Sequence, residues 1–155
     1  KGDFELGIRK CGSMKFPNGD LYNGEYDEDG LMSGSGTMLY SNDDYFSGDF
    51  VQGLMHGTGM MKFNTGAEYI GEFQYDLMEG SGEYTSHDKS VYSGEFKEGL
   101  MHGTGFLSQE GCPDKFGYWV DGEYAGYDKP KEMMSGVAKK EESKLGIIEE
   151  EDLIE

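Results

Sequence analysis

A chain of 155 residues that is 35% hydrophobic yet 14% aromatic, with 26 Gly and 3 Pro, has material for one ordinary domain whose core must come from large rings rather than from Leu, Ile and Val. A disordered low-complexity chain would share the glycine but not the 11 Tyr and 9 Phe. The formal net charge of −18 repels phosphate, which argues against nucleic acid and anionic lipid as partners, and 2 cysteines are too few for a disulfide framework and point to a reducing, cytoplasmic setting.

Taken in chain order, the residues fall into copies of one unit. Gly2-Asp3-Phe4-Glu5-Leu6-Gly7 matches Gly48-Asp49-Phe50-Val51-Gln52-Gly53, with one residue fewer before Gly12. The chain thus enters mid-unit, as a piece of something longer would, or as a first hairpin capped elsewhere would. Tyr26 through Gly36 repeats the pattern with one added residue before Gly30. Three closer copies follow, running from Phe50 to Gly59, Phe73 to Gly82 and Phe96 to Gly105, with a spacing of 23 residues between Phe50, Phe73 and Phe96. A sixth starts at Gly117-Tyr118-Trp119 and decays after Gly126. Each unit reads aromatic-x-Gly-x-aromatic-x-x-Gly-Leu-Met-x-Gly-x-Gly, then a short strand and a turn.

Within a unit the period is two, which is the period of a strand. Tyr22, Gly24 and Tyr26 point to one face, as do Tyr69/Gly71/Phe73 and Tyr92/Gly94/Phe96. The returning strand alternates likewise through Gly36, Met38 and Tyr40; Gly59, Met61 and Phe63; Gly82 and Tyr84; Gly105 and Leu107. A helix would scatter these positions and lose about 1 kcal/mol at each glycine. Glycine weakens a strand unless something covers it, so a ring from a neighbouring strand is expected to lie over bare glycine backbone. The expected fold is all-β: a single-layer antiparallel meander of stacked β-hairpins over residues 1–127, about five and a half repeats. Asp3, Glu25, Asp49, Glu72 and Glu95 form an acidic row on the opposite face, which is expected to be solvated and to keep the sheet from clumping.

With these residues in view, Tyr45 through Gly59 and the two copies after it resemble the MORN repeat (membrane occupation and recognition nexus), and the resemblance extends over about residues 2–127. It implies stacked hairpins acting as scaffolds, cytoskeletal linkers or peptide-binding troughs. Members of that family occur in ciliary radial spokes, junctional membrane complexes and parasite cytoskeletons, as myosin-tail binders, and beside SET-type lysine methyltransferase domains. MORN repeats often carry Lys where this chain has Leu31, Leu54, Leu77 and Leu100, a departure that weighs against phospholipid binding.

The candidate partner-binding residues are the trough residues Tyr22, Tyr26, Phe50, Tyr69, Phe73, Tyr92 and Phe96 with Met38 and Met61, and the pairs Leu54-Met55, Leu77-Met78 and Leu100-Met101, to which Leu31-Met32 adds a fourth. The pairs are expected to line one edge of the stack, either packing between turns or offering an adaptable methionine strip. The rings either pack only with one another or also receive a helix or extended peptide, since one apolar face of a single-layer sheet calls for a cover. Residues 128–155 leave the repeat; Met134, Ala138, Leu145 and Ile148 share a loose helical stripe, so this acidic tail reads as a helix or as disordered.

No catalytic, cofactor or metal site emerges. His56 and His102 occupy one slot in repeats 46 residues apart, with Glu79 in that slot between them, which is a turn position rather than a metal pair. Cys11 and Cys112 have no His partner at a catalytic spacing, and the glycines lack the Lys and following helix of a phosphate loop. The expectation is a non-catalytic scaffold or adaptor, cytoplasmic, in a cytoskeletal or ciliary assembly, whose partners are proteins or neighbouring subunits. The alternatives are a regulatory module of a larger enzyme, such as a SET-type methyltransferase, or a membrane-tethering module. Truncating a ring of the repeat tests the packing premise: Phe96→Ala should destabilise by roughly 3–5 kcal/mol, and an unchanged thermal midpoint would contradict it.

Overall fold

The computed structural model describes residues 2–5 and 8–130. They form one sheet of 12 strands in sequential order, each antiparallel to the next. The strands are β1 (Gly2–Glu5), β2 (Ile8–Lys15), β3 (Leu21–Tyr26), β4 (Met32–Leu39), β5 (Tyr45–Val51), β6 (Leu54–Lys62), β7 (Glu68–Gln74), β8 (Leu77–Thr85), β9 (Val91–Lys97), β10 (Leu100–Ser108), β11 (Lys115–Val120) and β12 (Glu123–Gly126). The expected meander is therefore observed, and among the described residues there is no helix and no second layer. The tail stripe of Met134, Ala138, Leu145 and Ile148 lies outside the described residues.

The core is a line of rings on one face of this sheet. Tyr22, Phe46, Tyr69 and Tyr92 sit at the start of their strands and are almost fully buried, Phe46 and Tyr69 at 0% exposure. Each lies over a pair of facing glycines: Gly24 opposite Gly36, Gly48 opposite Gly59, Gly71 opposite Gly82, and Gly94 opposite Gly105. Over the second glycine the ring comes from the neighbouring strand, as expected, but over the first it belongs to the glycine's own strand, because a large ring two residues away along a strand folds down over the bare position beside it. Rings at the far end of each strand, Tyr26, Phe50, Phe73 and Phe96, stand edge-on to them. The contacts continue between hairpins, from Tyr22 to Phe50 (5.1 Å), Phe46 to Phe73 (5.1 Å), Tyr69 to Phe96 (4.9 Å) and Tyr92 to Trp119 (5.1 Å), all nearly perpendicular. Edge-to-face pairs at this separation add about 0.5–1.5 kcal/mol each beyond burial. One unbroken ring ladder thus replaces the second layer that a half-buried sheet normally needs.

Register depends on a bulge in each hairpin. Gly48 pairs with Gly59 while the adjacent Asp49 pairs with His56, so two residues on the returning strand are extra. The same shift occurs beside Gly24, Gly71 and Gly94. Without it Gly48 would face Gly57, and the glycine pair under the ring would be lost. The bulge glycines Gly34, Gly57, Gly80 and Gly103 have φ between 62° and 68°, the left-handed region that Gly adopts without a Cβ penalty.

The three phenols that lie over glycine pairs are satisfied locally. The Tyr22 hydroxyl donates to the Glu25 carbonyl (2.8 Å), Tyr69 to Glu72 (2.9 Å) and Tyr92 to Glu95 (3.1 Å). Burial, the largest cause, pushes the pKa of all three phenols up to about 12, with nearby glutamates adding to it.

Two outcomes follow from this packing. A methyl added at Gly82 would stand 2.5–2.6 Å from ring carbons Cε2 and Cζ of Tyr69; Gly82→Ala should therefore lower stability by about 1–3 kcal/mol by overpacking, read as a lower denaturation midpoint. The phenols are held neutral when folded, with a pKa of about 12 against about 10 when unfolded. Their contribution is complete below about pH 10 and is lost as pH rises through 12. Tyrosinate absorbance should show a fraction of the tyrosines ionising late and together with unfolding; ionisation of every tyrosine near pH 10 in the folded state would contradict it.

Candidate functional site

The ring face is walled on both sides by rows of turns, and each row is tied together by hydrogen bonds between successive hairpins. In one row, tight turns at Gln52-Gly53, Tyr75-Asp76, Glu98-Gly99 and Asp121-Gly122 have positive φ at both central residues, the twist that two-residue hairpin loops require. Each donates a turn amide to a methionine carbonyl of the preceding hairpin: Gly53 to Met32 (2.8 Å), Asp76 to Met55 (3.0 Å), Gly99 to Met78 (2.9 Å) and Gly122 to Met101 (2.9 Å). The slot shared by His56, Glu79 and His102 serves the same edge. The His56 ring stands tilted against Tyr75 (5.2 Å), Glu79 accepts the Glu98 amide (2.8 Å), and His102 stands 3.5 Å from Asp121. Each histidine therefore meets the tight turn of the next hairpin, as the repeat register implies.

In the opposite row, the Asp20 carboxylate accepts the Ser41 amide (2.8 Å) and the Asp44 carboxylate accepts the Asn64 amide (2.7 Å), each reaching the next hairpin. The hydrogen bond from Ser41 holds the Asp20 carboxyl below its usual range. The acidic row on the back face also has a local role. Glu72 accepts the Ser81 amide (3.1 Å), Glu95 accepts the Thr104 amide (3.0 Å), and the Glu25 and Asp49 side chains cover the bulge glycines Gly34 and Gly57 in the same way. These carboxylates close the bulges while keeping contact with solvent.

The structure divides the sequence-predicted site residues into two groups. Tyr22, Tyr26, Phe50, Tyr69, Phe73, Tyr92, Phe96, Met38, Met61 and Met55 are buried in the ring ladder. The Leu-Met pairs do not form one strip. Neighbouring side chains on a strand point to opposite faces, so Met32, Met55, Met78 and Met101 turn under the rings while Leu31, Leu54, Leu77 and Leu100 stay exposed, at 45%, 36%, 47% and 48%. Phe46 and Trp119 are buried members of the ladder that the sequence-predicted set omitted, although both stand at ring positions of the repeat, Phe46 two residues before Gly48 and Trp119 two after Gly117.

Between the two rows, an open groove of about 650 Å³ crosses the ring face over β4 to β6. Its floor is Met38, Phe50, Met55 and Met61, with Met32 and Tyr40 at the sides. Asp20 and Asp44 stand on one wall and Asp76 on the other. The Tyr40 hydroxyl points at the Met55 sulfur across the groove (3.6 Å). Burial first, and then Asp76, Asp20 and Asp44, push the Tyr40 phenol up to about 12. The groove is thus apolar at its base and negative at its lip. None of Asp20, Asp44, Asp76 and Tyr40 belongs to the sequence-predicted site; the available signal was Asp76 itself, which stands where Gly53, Gly99 and Gly122 occupy the other turns.

Among the described residues, no group of three or more His, Cys, Asp and Glu side chains is placed to hold a metal ion. No helix of the described residues is long and apolar enough to cross a membrane.

Comparison with known proteins agrees with this geometry. A search of curated proteins returned no match. Among solved structures, the chain is similar to the TCP domain of SAS-4 (dCPAP) from Drosophila melanogaster, solved in complex with a proline-rich motif of Ana2 (dSTIL). That likeness has 14% identity and a TM-score of 0.23 and covers 69% of this chain and 83% of the other, too weak a superposition to bear on function. The MORN repeat family model matches residues 22–45, 46–68, 69–91 and 92–109, more than half of the sequence. With its consecutive hairpins, ring ladder and bulge glycines, this chain belongs to the MORN-repeat family.

Proposed function

We propose that this chain is a non-catalytic scaffold or adaptor that holds a protein partner against its ring face. The open groove between the two rows of turns carries the reading. Segments of protein partners commonly dock in apolar grooves, and this groove is apolar with polar groups at its margin, on a sheet whose successive hairpins are clamped at both edges. Rigidity limits the ordering cost that a partner must overcome. The buried rings support the floor, and contact falls to Tyr40, Met32 and the rim. A role in a cytoskeletal or ciliary assembly rests on the settings in which MORN repeats occur. Carboxylates engaged in closing bulges and joining turns favour an architectural over a catalytic role.

Cross-linking mass spectrometry on captured complexes, with a carboxyl-reactive cross-linker, tests the reading. Cross-links from a partner should concentrate at Asp20, Asp44 and Asp76. Tyr40→Glu, at a half-buried side position, should leave the fold intact by circular dichroism and abolish capture. Capture that is unaffected by Tyr40→Glu, with cross-links confined to the back face, would overturn it.

A further inference from the structure

The repeats serve as internal controls for one another, and one position in the groove departs from what the fold alone requires. The second residue of the tight turn is Gly53, Gly99 or Gly122, at φ of 85°, 82° and 87°. In the remaining turn it is Asp76, at φ 69°, and it follows Tyr75 at φ 48°. Two consecutive side-chain-bearing residues are thus held in the left-handed region, which costs roughly 1–2 kcal/mol per residue. Glycine at this slot makes the same amide contact to the preceding methionine in the other hairpins, so the connection itself does not need aspartate.

The Asp76 carboxylate accepts the Met55 amide (2.8 Å) and forms one wall of the groove. Opposite stand Asp20 and Asp44. No Lys, Arg or His lines the groove to balance them. Burial first, and then these three carboxylates, hold the Tyr40 phenol neutral at the centre of the site. Between the acidic walls, the floor is methionine, an unbranched and polarizable side chain that adapts to differently shaped apolar groups.

Resting on the reading that this face holds a protein, we infer that the groove takes a basic segment of that partner, with Lys or Arg beside a large apolar side chain. The apolar side chain settles on Met38, Met55 and Met61, and the cation is held between Asp76 and the Asp20/Asp44 wall. The chain's formal charge of −18 adds a long-range attraction for such a segment. It opposes a second acidic copy of this chain, an RNA strand or an anionic membrane in the same place. Asp76 is then the specificity-determining residue of the groove.

The probe is a phage-displayed random peptide library panned on the full chain, with retained clones remade as synthetic peptides and titrated by calorimetry. Retained sequences should pair Lys or Arg with Leu, Met or an aromatic within a few positions. Their affinity should fall about tenfold or more on Asp76→Gly and on Asp44→Asn, and should weaken as salt rises. Asp76→Asn, which keeps an oxygen for the Met55 amide and removes the charge, should melt with the parent and lose the same binding as Asp76→Gly, so lost binding would not reflect lost folding. Peptides that Tyr40→Glu excludes but that lack cations, or that ignore Asp76→Gly, would overturn the charge inference and leave the scaffold reading standing. Failure to retain peptides, retention insensitive to Tyr40→Glu, pelleting with anionic vesicles, or self-association in sedimentation would overturn both.

Discussion

The constraint on which the rest of this protein depends is the placement of an aromatic ring flat against two facing glycines. At Gly24 and Gly36, Gly48 and Gly59, Gly71 and Gly82, and Gly94 and Gly105, a Cβ would collide with the ring above or with the neighbouring main chain. Because the glycines are bare, the ring sinks onto the backbone and is buried by a single layer of strands. A sheet with ordinary residues at those positions would hold its rings higher and need another layer to cover them. The low aliphatic content and abundant glycine are therefore two sides of one solution: ring-on-backbone contact and edge-to-face contact with the next hairpin replace an interdigitated aliphatic core.

Everything else keeps that contact in register. The bulge brings glycine opposite glycine, and the carboxylates of Glu72 and Glu95 accept the amides that the bulge frees. The same row carries charge on the exposed face, so one residue per hairpin serves folding and solubility together. Turn-to-turn hydrogen bonds then fix each hairpin against its predecessor along both edges. Since every strand pairs only with its neighbours in sequence, stability accrues hairpin by hairpin, as in other repeat architectures. Departures from the repeat stand out for the same reason. Trp119 takes the place of a Phe and continues the ladder to Tyr124 (5.3 Å). Phe46 takes the place of a Tyr and gives up its hydroxyl contact. Asp76 takes the place of a Gly and forms one wall of the groove.

Fold class, strand order and the inward positions were legible in the residues. A period of two, broken at regular turns, admits a strand and excludes a helix, and a spacing of 23 residues from Phe50 to Phe73 to Phe96 makes each unit a hairpin that stacks on the last. The ring rows followed from the same alternation, because the side on which a strand residue lies is set by its parity. The covering of glycine by rings followed as well, since no other arrangement makes glycine favourable in a strand at every repeat.

Which of those rings a partner could touch was decided by the tertiary structure. Alternation assigns a face, but depth depends on how neighbouring hairpins close over one another, and that closure buries Phe73 and Phe96 while leaving Tyr40 at the side of the groove. The same holds for Leu54-Met55: adjacent in sequence, they part to opposite faces once the turn before them is set. The groove itself joins Asp20, Asp44 and Asp76, residues from turns at opposite edges of the sheet, and no spacing along the chain reveals that they converge. The amino-acid sequence by itself determined a stack of hairpins with one aromatic face, because strand periodicity is a local property. Only the tertiary structure decided where that face stays open and what charge surrounds the opening, because both depend on side chains brought together across the sheet.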